Sequence, residues 1–305
     1  MSHLYVIGNG FDLHHNMKTQ YTDFRNWLEA EDEPALNTIM ELFGEGDVEW
    51  WKDFEKNLAN AITSDIVQNE VIEHYPDFGS EDFSDADWYA AEYAVENVLS
   101  DAYDEIRDAF NQWVEQIEKG DENRKIRIET EDAIFLTFNY TATLEDLYGI
   151  DENKILHIHG KACTGDELVL GHGASEDEIE QIVERENPED EEGDDLVVQQ
   201  AKFAAIHGVY NQRKKVSEII NKYEDWFTAL EDVTTIHFYG HSFCDVDIPY
   251  FEKTLSVVNR DNITIEVSDY ENENREAIVA FMQNHGIRPD QYSIIDLEDI
   301  IEHVE

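Results

Sequence analysis

Short apolar runs that end in glycine or polar residues recur along the chain. The first, Leu4 to Ile7, runs into Gly8 and predicts a buried strand followed by a tight turn. The other predicted strands are Ala133 to Thr137, Ile155 to Ile158, Leu168 to Leu170, Thr234 to Tyr239, Ile263 to Val267 and Tyr292 to Ile295. Several runs lack polar alternation, which is typical of strands covered by helices on both faces. Because strands and helices alternate from residue 130 onward, the pattern predicts a mostly parallel sheet.

Apolar residues at helical spacing predict a long helix between the first two strands. Ser84, with Asp87 three residues further on, predicts its start, and Gly120 predicts its end. Its apolar stripe comprises Leu99, Tyr103, Ile106, Phe110, Trp113 and Ile117. We interpret this stripe as core packing rather than as the wall of a ligand groove. A second amphipathic helix is predicted over Val216, Ile219, Ile220, Tyr223, Trp226, Phe227 and Leu230.

The predicted fold class is α/β, with one Rossmann-like domain over residues 1–305 whose sheet is flanked by helices. Residues 21–129 are predicted to form a large helical insertion, in which Trp51, Phe54 and Leu58 would share one helical face. Residues 174–231 are predicted to form a second insertion, an acidic loop followed by a helix. Within it, Ser175 to Asp195 is dominated by Glu and Asp, which predicts a mobile, solvated excursion that need not pack.

The charge balance excludes one class of partner. The 305 residues include 71 acidic and 21 basic ones, a formal net charge of −50. Such a surface repels phosphate backbones, so direct binding of nucleic acid is not expected. One dense basic patch, Arg213 to Lys215, offers a phosphate contact, but we interpret it as salt bridging.

Neither cysteine chemistry nor a membrane is indicated. Cys163 and Cys244 are far apart and in no metal-like spacing, which argues against a disulfide framework or a structural zinc site. No apolar stretch reaches the roughly 18 residues of a membrane span, and the start of the chain lacks a secretory pattern. We therefore expect a soluble, cytoplasmic protein with no membrane contact.

Four segments follow predicted strands and carry small or polar residues. They are Gly8-Asn9-Gly10-Phe11-Asp12, Thr137-Phe138-Asn139-Tyr140-Thr141, His157-Ile158-His159-Gly160, and Gly240-His241-Ser242 with Asp245 and Asp247 beyond it. Ligands of parallel α/β sheets dock at the carboxyl ends of the strands. Each segment alone has an ordinary structural explanation, but the position of all four predicts a nucleotide-binding crevice.

The first two segments suit a phosphate and a ribose. Gly8 and Gly10 would let the backbone approach a phosphate at a helix N-terminus, although Leu13 replaces the third glycine of the dinucleotide fingerprint. A plain tight turn is the alternative. The amide of Asn139 can donate and accept at once, which suits a ribose hydroxyl or a carboxamide. Its alternative is a local turn.

The last two segments offer a base and a hydroxyl. His157 and His159 are predicted to point to the same side of their strand, and one of them can act as a general base near neutral pH. Two histidines at this spacing can also bind a metal, but no carboxylate pattern accompanies them and no metal is predicted. The turn at Ser242 suits a ribose or phosphate, while Asp245 or Asp247 is expected to cap the next helix.

These segments resemble the conserved blocks of the AbiH family of bacterial phage-resistance proteins. The stretches YVIGNGFDLHHNMKTQYTDF, FLTFNYTATLEDLYG, HIHGKA, LVLGHG and FYGHSFCDVD resemble the blocks of that family in the same order, as does the block of Trp51, Phe54, Glu55 and Leu58. The resemblance spans nearly the whole chain and implies a role in abortive infection.

More remotely, the same blocks resemble the sirtuin-like fold, including NAD-hydrolysing domains of bacterial defence systems. That resemblance implies that Asn139 holds the nicotinamide ribose or a water and that His159 is the base. It implies that Asp12 lies near the ribose and phosphates and that Ser242 touches the adenosine side. The further ligand contacts expected are Gly8, Asn9, Gly10, Phe11, Thr137, Tyr140, Gly160, Gly240, His241 and Asp245.

The chain departs from sirtuins at informative positions. Asp12 stands where sirtuins have serine, and Tyr140 and Thr141 follow Asn139 where they have aspartate. The four-cysteine zinc module is missing, which argues against protein deacetylation.

The leading hypothesis is a defence effector that hydrolyses the nicotinamide–ribose bond of NAD or a related nucleotide, with Asn139, His159 and Asp12 as catalytic residues. A second hypothesis is a nucleotide or ADP-ribose sensor that switches a partner-binding surface without turnover. A third is a metal-dependent phosphoesterase that uses His157, His159, His172 and His241. A second copy of the chain or a phage-derived trigger is left open as a partner.

Overall fold

The computed structural model describes residues 2–189, 193–270 and 274–302. Its strands are β1 (His3–Ile7), β2 (Ala133–Thr137), β3 (Ile155–His157), β4 (Thr235–Tyr239), β5 (Thr264–Ser268) and β6 (Tyr292–Ile295). They form one sheet in the order β3-β2-β1-β4-β5-β6, and every neighbouring pair is parallel. This is the strand order of doubly wound Rossmann-like sheets, with the reversal between β1 and β4. The predicted α/β class with a parallel sheet is confirmed.

Helices account for most of the remaining chain. They are α1 (Asn9–His14), α2 (Tyr21–Glu31), α3 (Glu33–Phe43), α4 (Val48–Lys52), α5 (Phe54–Asn57), α6 (Ser64–Glu73), α7 (Ala90–Glu115), α8 (Thr143–Tyr148), α9 (Glu176–Glu186), α10 (Leu196–Tyr210), α11 (Val216–Lys222), α12 (Glu224–Thr228), α13 (Ile248–Val257) and α14 (Arg275–Asn284). None of the described helices is long and apolar enough to cross a membrane.

The sheet is buried on both faces. Leu4 and Val6 of β1 belong to one core cluster, which includes residues of α13 and α14. Tyr5 and Ile7 belong to a second cluster with Phe11 of α1. Successive side chains of a strand point to opposite faces, so a strand covered on both sides must be apolar throughout. This explains why β1 is a continuous apolar run in the sequence.

The chain divides into two compact units. The unit that contains the sheet consists of the segment up to Gln20, Trp113–Val169 and the segment from Lys215 onward. The other unit, Tyr21–Gln112 with Leu170–Lys214, is helical. It takes up most of the predicted 21–129 insertion and the first part of the predicted 174–231 insertion.

The helical unit has an aromatic core of its own. The rings of Trp51 and Phe54 stack with centroids 5.3 Å apart, and Phe24 packs edge-on against Phe54 at 5.6 Å. Trp51, Phe54 and Leu58 are all buried, but they lie on two short helices that are interrupted at Asp53 rather than on one.

The basic patch of Arg213 to Lys215 forms a salt bridge at Lys214, as predicted. Its ammonium lies 2.7 Å from the carboxylate of Glu55, and both residues belong to the helical unit. Arg213 stacks on the ring of Tyr210, with its guanidinium carbon 3.7 Å from the ring centroid. The salt-bridge interpretation is therefore confirmed for Lys214.

The prediction of a strand over Leu168 to Leu170 is wrong. This segment is irregular, with both leucines buried. The N–H of Val169 donates to the carbonyl of His159 at 2.9 Å, and a Cβ on Gly160 would lie 2.8 Å from the carbonyl of Glu167. The apolar run was misleading because the Leu168 side chain packs on Gly160 in the loop after β3, and the segment does not pair with another strand.

The prediction that Ser175 to Asp195 forms an excursion that need not pack is also wrong. Ser175 and Glu178 form a reciprocal capping box that begins α9, and Ile179 and Val183 are buried one turn apart. Two apolar residues four positions apart give an acidic helix an inward face. Residues 190–192 of this segment lie outside the described residues.

Both predicted long helices differ at their ends. The capping box of Ser84 and Asp87 is confirmed, but it opens a 3₁₀ helix, and α7 ends at Glu115 rather than at Gly120. The predicted helix over 216–230 is divided into α11, α12 and a 3₁₀ helix. At the first break, the N–H of Tyr223 is shared between the carbonyls of Ile219 and Ile220, which tightens the last turn of α11.

Three glycines allow the turn after β1 to pack on the turn after β4. The N–H of Gly10 donates to the carbonyl of Gly240 at 2.8 Å, and that of Gly8 donates to the carbonyl of Tyr239 at 2.9 Å. A Cβ on Gly8 would lie 2.7 Å from the oxygen of Gly240, and one on Gly240 would lie 2.0 Å from the nitrogen of Phe11. Gly240 also has φ +69°. The two turns could not meet if any of these glycines carried a side chain.

We expect Gly240→Ala to lower the free energy of unfolding by about 3 kcal/mol or more, because it combines a left-handed backbone with a clash against the backbone of α1. Gly149→Ala is the matched control, since Gly149 has φ +65° but open space where a Cβ would lie. It should cost only about 1 kcal/mol. Urea denaturation of the two variants measures both values. Equal losses would show that backbone strain, not packing, is the constraint.

Candidate functional site

The parallel sheet brings all four predicted segments to one edge. They follow β2, β1 and β4, which are neighbours in the sheet, and β3, which pairs with β2. Within this edge, the hydroxyl of Thr141 donates to Asp12, and Phe138 packs against the rings of His159 and His241 at centroid distances of 5.2 and 4.9 Å. The segment after β2 is therefore the centre of the candidate site.

Asp12 is a buried carboxyl group, and only one of its two oxygens is hydrogen-bonded among the described residues. It is 1% exposed, and the hydroxyl of Thr141 donates to its Oδ2. Its Oδ1 has no hydrogen-bond partner among the described residues. Burial raises the pKa of Asp12 above that of an ordinary aspartate, while the hydrogen bond from Thr141 lowers it in part. The charged form is thus costly at this position.

Asn139 is buried and fixed from both sides. Its side-chain amide donates to the carbonyl of Gly8 at 3.1 Å, and its backbone N–H donates to the hydroxyl of Thr137 at 3.1 Å. The predicted contact residue Thr137 therefore positions Asn139. The amide oxygen of Asn139 can still accept a hydrogen bond from a ligand.

The two histidines of the third segment have different environments. The Nδ1 of His157 lies 3.2 Å from the carbonyl oxygen of Asn139, and its Nε2 lies 3.1 Å from Oε1 of Glu145. Lys161 also contacts Glu145 at 3.1 Å. Both ring nitrogens of His157 are thus engaged in holding the site together. β3 ends at His157, so the strand alternation expected to align the two histidines does not extend to His159.

His159 lies in a buried cluster with Asp247, a residue of the fourth segment that was expected to cap a helix. Its Nε2 is 3.9 Å from Oδ1 of Asp247, whose Oδ2 is 3.3 Å from Nε2 of His241. The N–H of Phe243 donates to Nδ1 of His241 at 2.9 Å, so the proton of a neutral His241 ring is on Nε2, facing Asp247. Asp247 therefore lies between two histidines at the end of the sheet.

The expectation that Asp245 or Asp247 caps the next helix is wrong for Asp247. Asp247 occupies the N-cap position of α13, but its side chain makes no capping hydrogen bond. The carboxylate faces the histidines instead, and Cys244 donates to it at 3.1 Å. The local sequence signals only a cap. In the sequence, the one sign of a buried carboxylate here is that two segments with histidines, those of His159 and His241, both follow parallel strands.

Two predicted residues lie away from the buried cluster. Ser242 and Asp245 are both exposed, whereas Ser268, which was missed, accepts a hydrogen bond from the N–H of Gly240 at 2.7 Å. Asp269 beside it is buried and has one oxygen without a partner among the described residues. Ser268 and Asp269 lie at the end of β5, so the strand-end rule used for the other segments would have found them.

The glycine turn does not offer its amides freely. Besides the bonds of Gly8 and Gly10 to the β4 turn, the N–H of Phe11 donates to the carbonyl of Gly8 at 2.9 Å. The Phe11 ring lies in the core, and the side chain of Asn9 donates to the carbonyl of Thr19 at 2.9 Å. Close packing thus accounts for the glycines without a phosphate.

The remaining predicted contacts shape the loop after β3. The hydroxyl of Tyr140 donates to the carbonyl of Val169 at 2.9 Å, and its ring centroid lies 6.3 Å from that of His159. Gly160 has φ +85° and lies against this same loop. Both residues therefore hold the backbone that carries His159.

A small cavity is lined by Thr141, whose hydroxyl donates to Asp12, but not by Asp12, Asn139 or His159 themselves. It has a volume of about 180 Å³, and its walls include Met17, Thr141, Thr143 and Cys163. The hydroxyls of Thr141 and Thr143 lie 3.0 Å apart and connect this wall to Asp12. Pockets that bury a drug-sized ligand measure roughly 300–1,000 Å³, so this cavity has room for one ring rather than for a dinucleotide.

The four histidines proposed for a phosphoesterase metal do not form a ligand set. Both ring nitrogens of His172 are engaged, Nε2 with the carbonyl of Val209 and Nδ1 with the N–H of Ala174, and both nitrogens of His157 are engaged as well. In the described ranges, three ligand atoms come within 4.8 Å of one another only at Glu70, Glu73 and His74. These three residues are unrelated to the proposed set.

Comparison with known proteins identifies one family. The model of the family described as "Bacteriophage abortive infection AbiH" matches residues 4–269. This range contains β1 from Leu4 onward, β2 to β5 and all the strand-end segments described above. No curated protein matches the chain.

The raised pKa of Asp12 predicts a pH-dependent stability difference. A folded-state pKa above the unfolded value stabilises the fold below the unfolded pKa, and this contribution is lost as the pH rises through the folded pKa. Asp12→Asn cannot ionise, so its free energy of unfolding relative to wild type should increase with pH and then level off. Urea denaturation from about pH 4 to about pH 8 measures this difference. Asp245→Asn, at an exposed position, is the control. A difference between Asp12→Asn and wild type that stays constant with pH would contradict the burial effect.

Proposed function

The chain belongs to the AbiH family of bacteriophage abortive infection proteins, and from this we propose that it acts by hydrolysing the nicotinamide–ribose bond of NAD or a related nucleotide. The family gives the role in abortive infection. The chemistry is inferred from the buried polar cluster at the carboxyl edge of the sheet.

One observation carries the proposal: the carboxyl of Asp12 is buried beside Asn139 with an oxygen that has no partner among the described residues. Unsatisfied buried polar groups are rare and call for an explanation. Cleavage of a nucleoside bond develops positive charge on the ribose, and a preorganised carboxylate stabilises such charge most strongly where water is excluded. The cost of ionising Asp12 is then offset only when that charge develops.

The reaction has a role for each group. The bond between C1′ and the nicotinamide nitrogen breaks, and its electron pair goes to that nitrogen, so nicotinamide leaves neutral. The oxygen of a water molecule bonds to C1′, and its proton passes to His159 as general base. The products are nicotinamide and the ribosyl remainder. The amide of Asn139 orients the ribose or the water.

Asp247 supports the base. Because its carboxylate lies 3.9 Å from Nε2 of His159, it stabilises the imidazolium that forms when His159 takes the proton. It also pairs with His241, which fixes its orientation. Asp247 is in this sense a positioning residue, as the carboxylates of other base–carboxylate pairs are.

The available space supports a ring-sized leaving group. The cavity lined partly by Thr141 and Thr143 has the volume for a nicotinamide ring but not for the whole nucleotide, and Thr141 connects it to Asp12. Because the amides of Gly8, Gly10 and Phe11 are engaged with backbone carbonyls, that turn contributes shape rather than a phosphate cradle. The scissile end of the nucleotide is therefore the part that this site suits.

The closed state of the site favours a second candidate. Asp12, Asn139 and His159 are each at most 6% exposed. A nucleotide or ADP-ribose sensor without turnover would bind as these groups open and would pass that change to a partner. The departures at Asp12, Tyr140 and Thr141 from the sirtuin pattern also favour a sensor without turnover.

We expect the purified chain to release nicotinamide from NAD, and Asn139→Ala to lower the rate on the order of 100-fold, because the orienting amide is lost. Chromatography of nicotinamide measures the rate, and circular dichroism confirms that the variant is folded. Asn153→Ala, on an exposed 3₁₀ helix, is the matched control and should keep full activity. Binding of NAD by calorimetry without release would support the sensor. If NAD is neither bound nor cleaved, both proposals are contradicted.

The two neighbouring histidines should separate chemistry from structure. His159→Gln should lower the rate of nicotinamide release by about 100-fold or more, because the base is removed. His157→Gln should instead lower the free energy of unfolding by about 1–3 kcal/mol, because buried partners lose their hydrogen bonds. Rate and urea stability are measured on both variants. A His157→Gln variant that is stable but inactive would instead identify His157 as the base and His159 as the structural residue.

A further inference from the structure

An apolar face is exposed on the helical unit. It consists of Ile72 of α6, Tyr75 and Phe78 in the following loop, and Leu196 and Phe203 of α10, each between 46% and 69% exposed. We refer to these five residues as the aromatic face. Single exposed apolar residues are common on protein surfaces, but a contiguous group marks an interaction site.

Two of the elements that carry the aromatic face, α6 and α10, pack against each other, and Tyr75 links the loop after α6 to the start of α10. The hydroxyl of Tyr75 donates to the carboxylate of Asp195 at 2.6 Å, directly beside Leu196. The rings of Tyr75 and Phe78 lie 6.2 Å apart, and Phe78 packs on Trp88 at 5.0 Å. The face is therefore held by side-chain contacts between the loop and the start of α10.

Helix α10 has apolar residues on both sides. Val197, Ala201, Ala204, Ala205 and Val209 are buried, while Leu196 and Phe203 lie seven residues apart on the outer side, which places them on one helical stripe. An amphipathic surface helix carries polar residues on its outer face. Leu196 and Phe203 therefore place apolar side chains on the outer side of α10, where polar residues are expected.

The charge around the face limits what can cover it. Between Lys56 and Arg107 the chain has no Lys or Arg but thirteen Asp or Glu residues. A second copy would bring two such surfaces together, and nucleic acids and anionic lipids carry the same sign of charge. A cationic protein surface is the partner that both the charge and the aromatic rings attract, since tyrosine and tryptophan bind Lys and Arg side chains over their faces.

We propose that the aromatic face is the docking surface for a cationic amphipathic segment of another protein, with apolar side chains seated on Leu196 and Phe203 and Lys or Arg side chains facing the surrounding carboxylates. This follows the mode in which an amphipathic helix places its apolar side on an apolar surface. The proposal does not depend on the chemistry at the sheet.

The test uses a synthetic amphipathic helix of Leu and Lys, labelled for fluorescence anisotropy, with the full chain. Wild type should bind this peptide, and Leu196→Ser combined with Phe203→Ser should weaken binding at least about tenfold. Both side chains are exposed, so the fold should be kept, which circular dichroism checks. Val48→Ser, at a residue 62% exposed on α4, is the control and should bind as wild type does.

The charge contribution is tested separately. Glu81→Gln with Asp82→Asn should weaken binding and reduce its dependence on salt, because these carboxylates adjoin Phe78 in sequence. Glu231→Gln with Asp232→Asn, exposed residues of the sheet-containing unit, should leave binding unchanged.

Three results would overturn the proposal. The first is equal binding of the peptide to wild type and to the Leu196 and Phe203 double variant. The second is equal binding of an all-lysine peptide of the same charge, which would reduce the interaction to unspecific attraction. The third is a dimer in sedimentation equilibrium that the double variant abolishes, which would make a second copy the occupant.

Discussion

The backbone contact between the turns after β1 and β4 determines where the polar groups of the site lie. Gly8, Gly10 and Gly240 approach more closely than side chains would permit, and they do so at the reversal of strand order, where Rossmann-like sheets open a crevice. Here the crevice is closed by the contact itself. Asp12 follows one turn and His241 follows the other, and the segment after β2 reaches both, through Thr141 and Phe138. A geometry that brings three strand ends together therefore also buries their polar residues.

Burial of these residues is unfavourable and must be balanced by the rest of the sheet. Among the described residues, Asp12, Asp269 and the hydroxyl of Tyr250 each have a buried polar atom without a hydrogen-bond partner, and each such group costs about 1–3 kcal/mol. Apolar clusters on both faces of the sheet supply the compensating stability. Groups of this kind are concentrated at functional sites, where perturbed pKa values are also found. Asp12 shows both features.

The negative charge of the chain has different consequences in its two units. Some of the few lysines are used in pairs with partly buried carboxylates, Lys161 with Glu145 and Lys214 with Glu55. The surface is correspondingly left with an excess of carboxylates. In the helical unit this excess surrounds an apolar face and would select a cationic partner. For the unit that contains the sheet, the same excess argues against nucleic acid as a ligand.

The sequence by itself determined the parallel sheet, its strands to within about a residue at most ends, and the edge at which the polar segments meet. Apolar runs and strand-end glycines are local signals, and parallel pairing then fixes the common edge. The sequence did not reveal that Leu168 packs on the loop after β3 or that Ile179 and Val183 anchor an acidic helix. Nor did it reveal that Asp247 faces His159 and His241. Only the tertiary structure decided these, because the partner of a side chain depends on which distant turns pack together. The glycine turns show the same division: the sequence marked them as special, and packing showed that they contact each other.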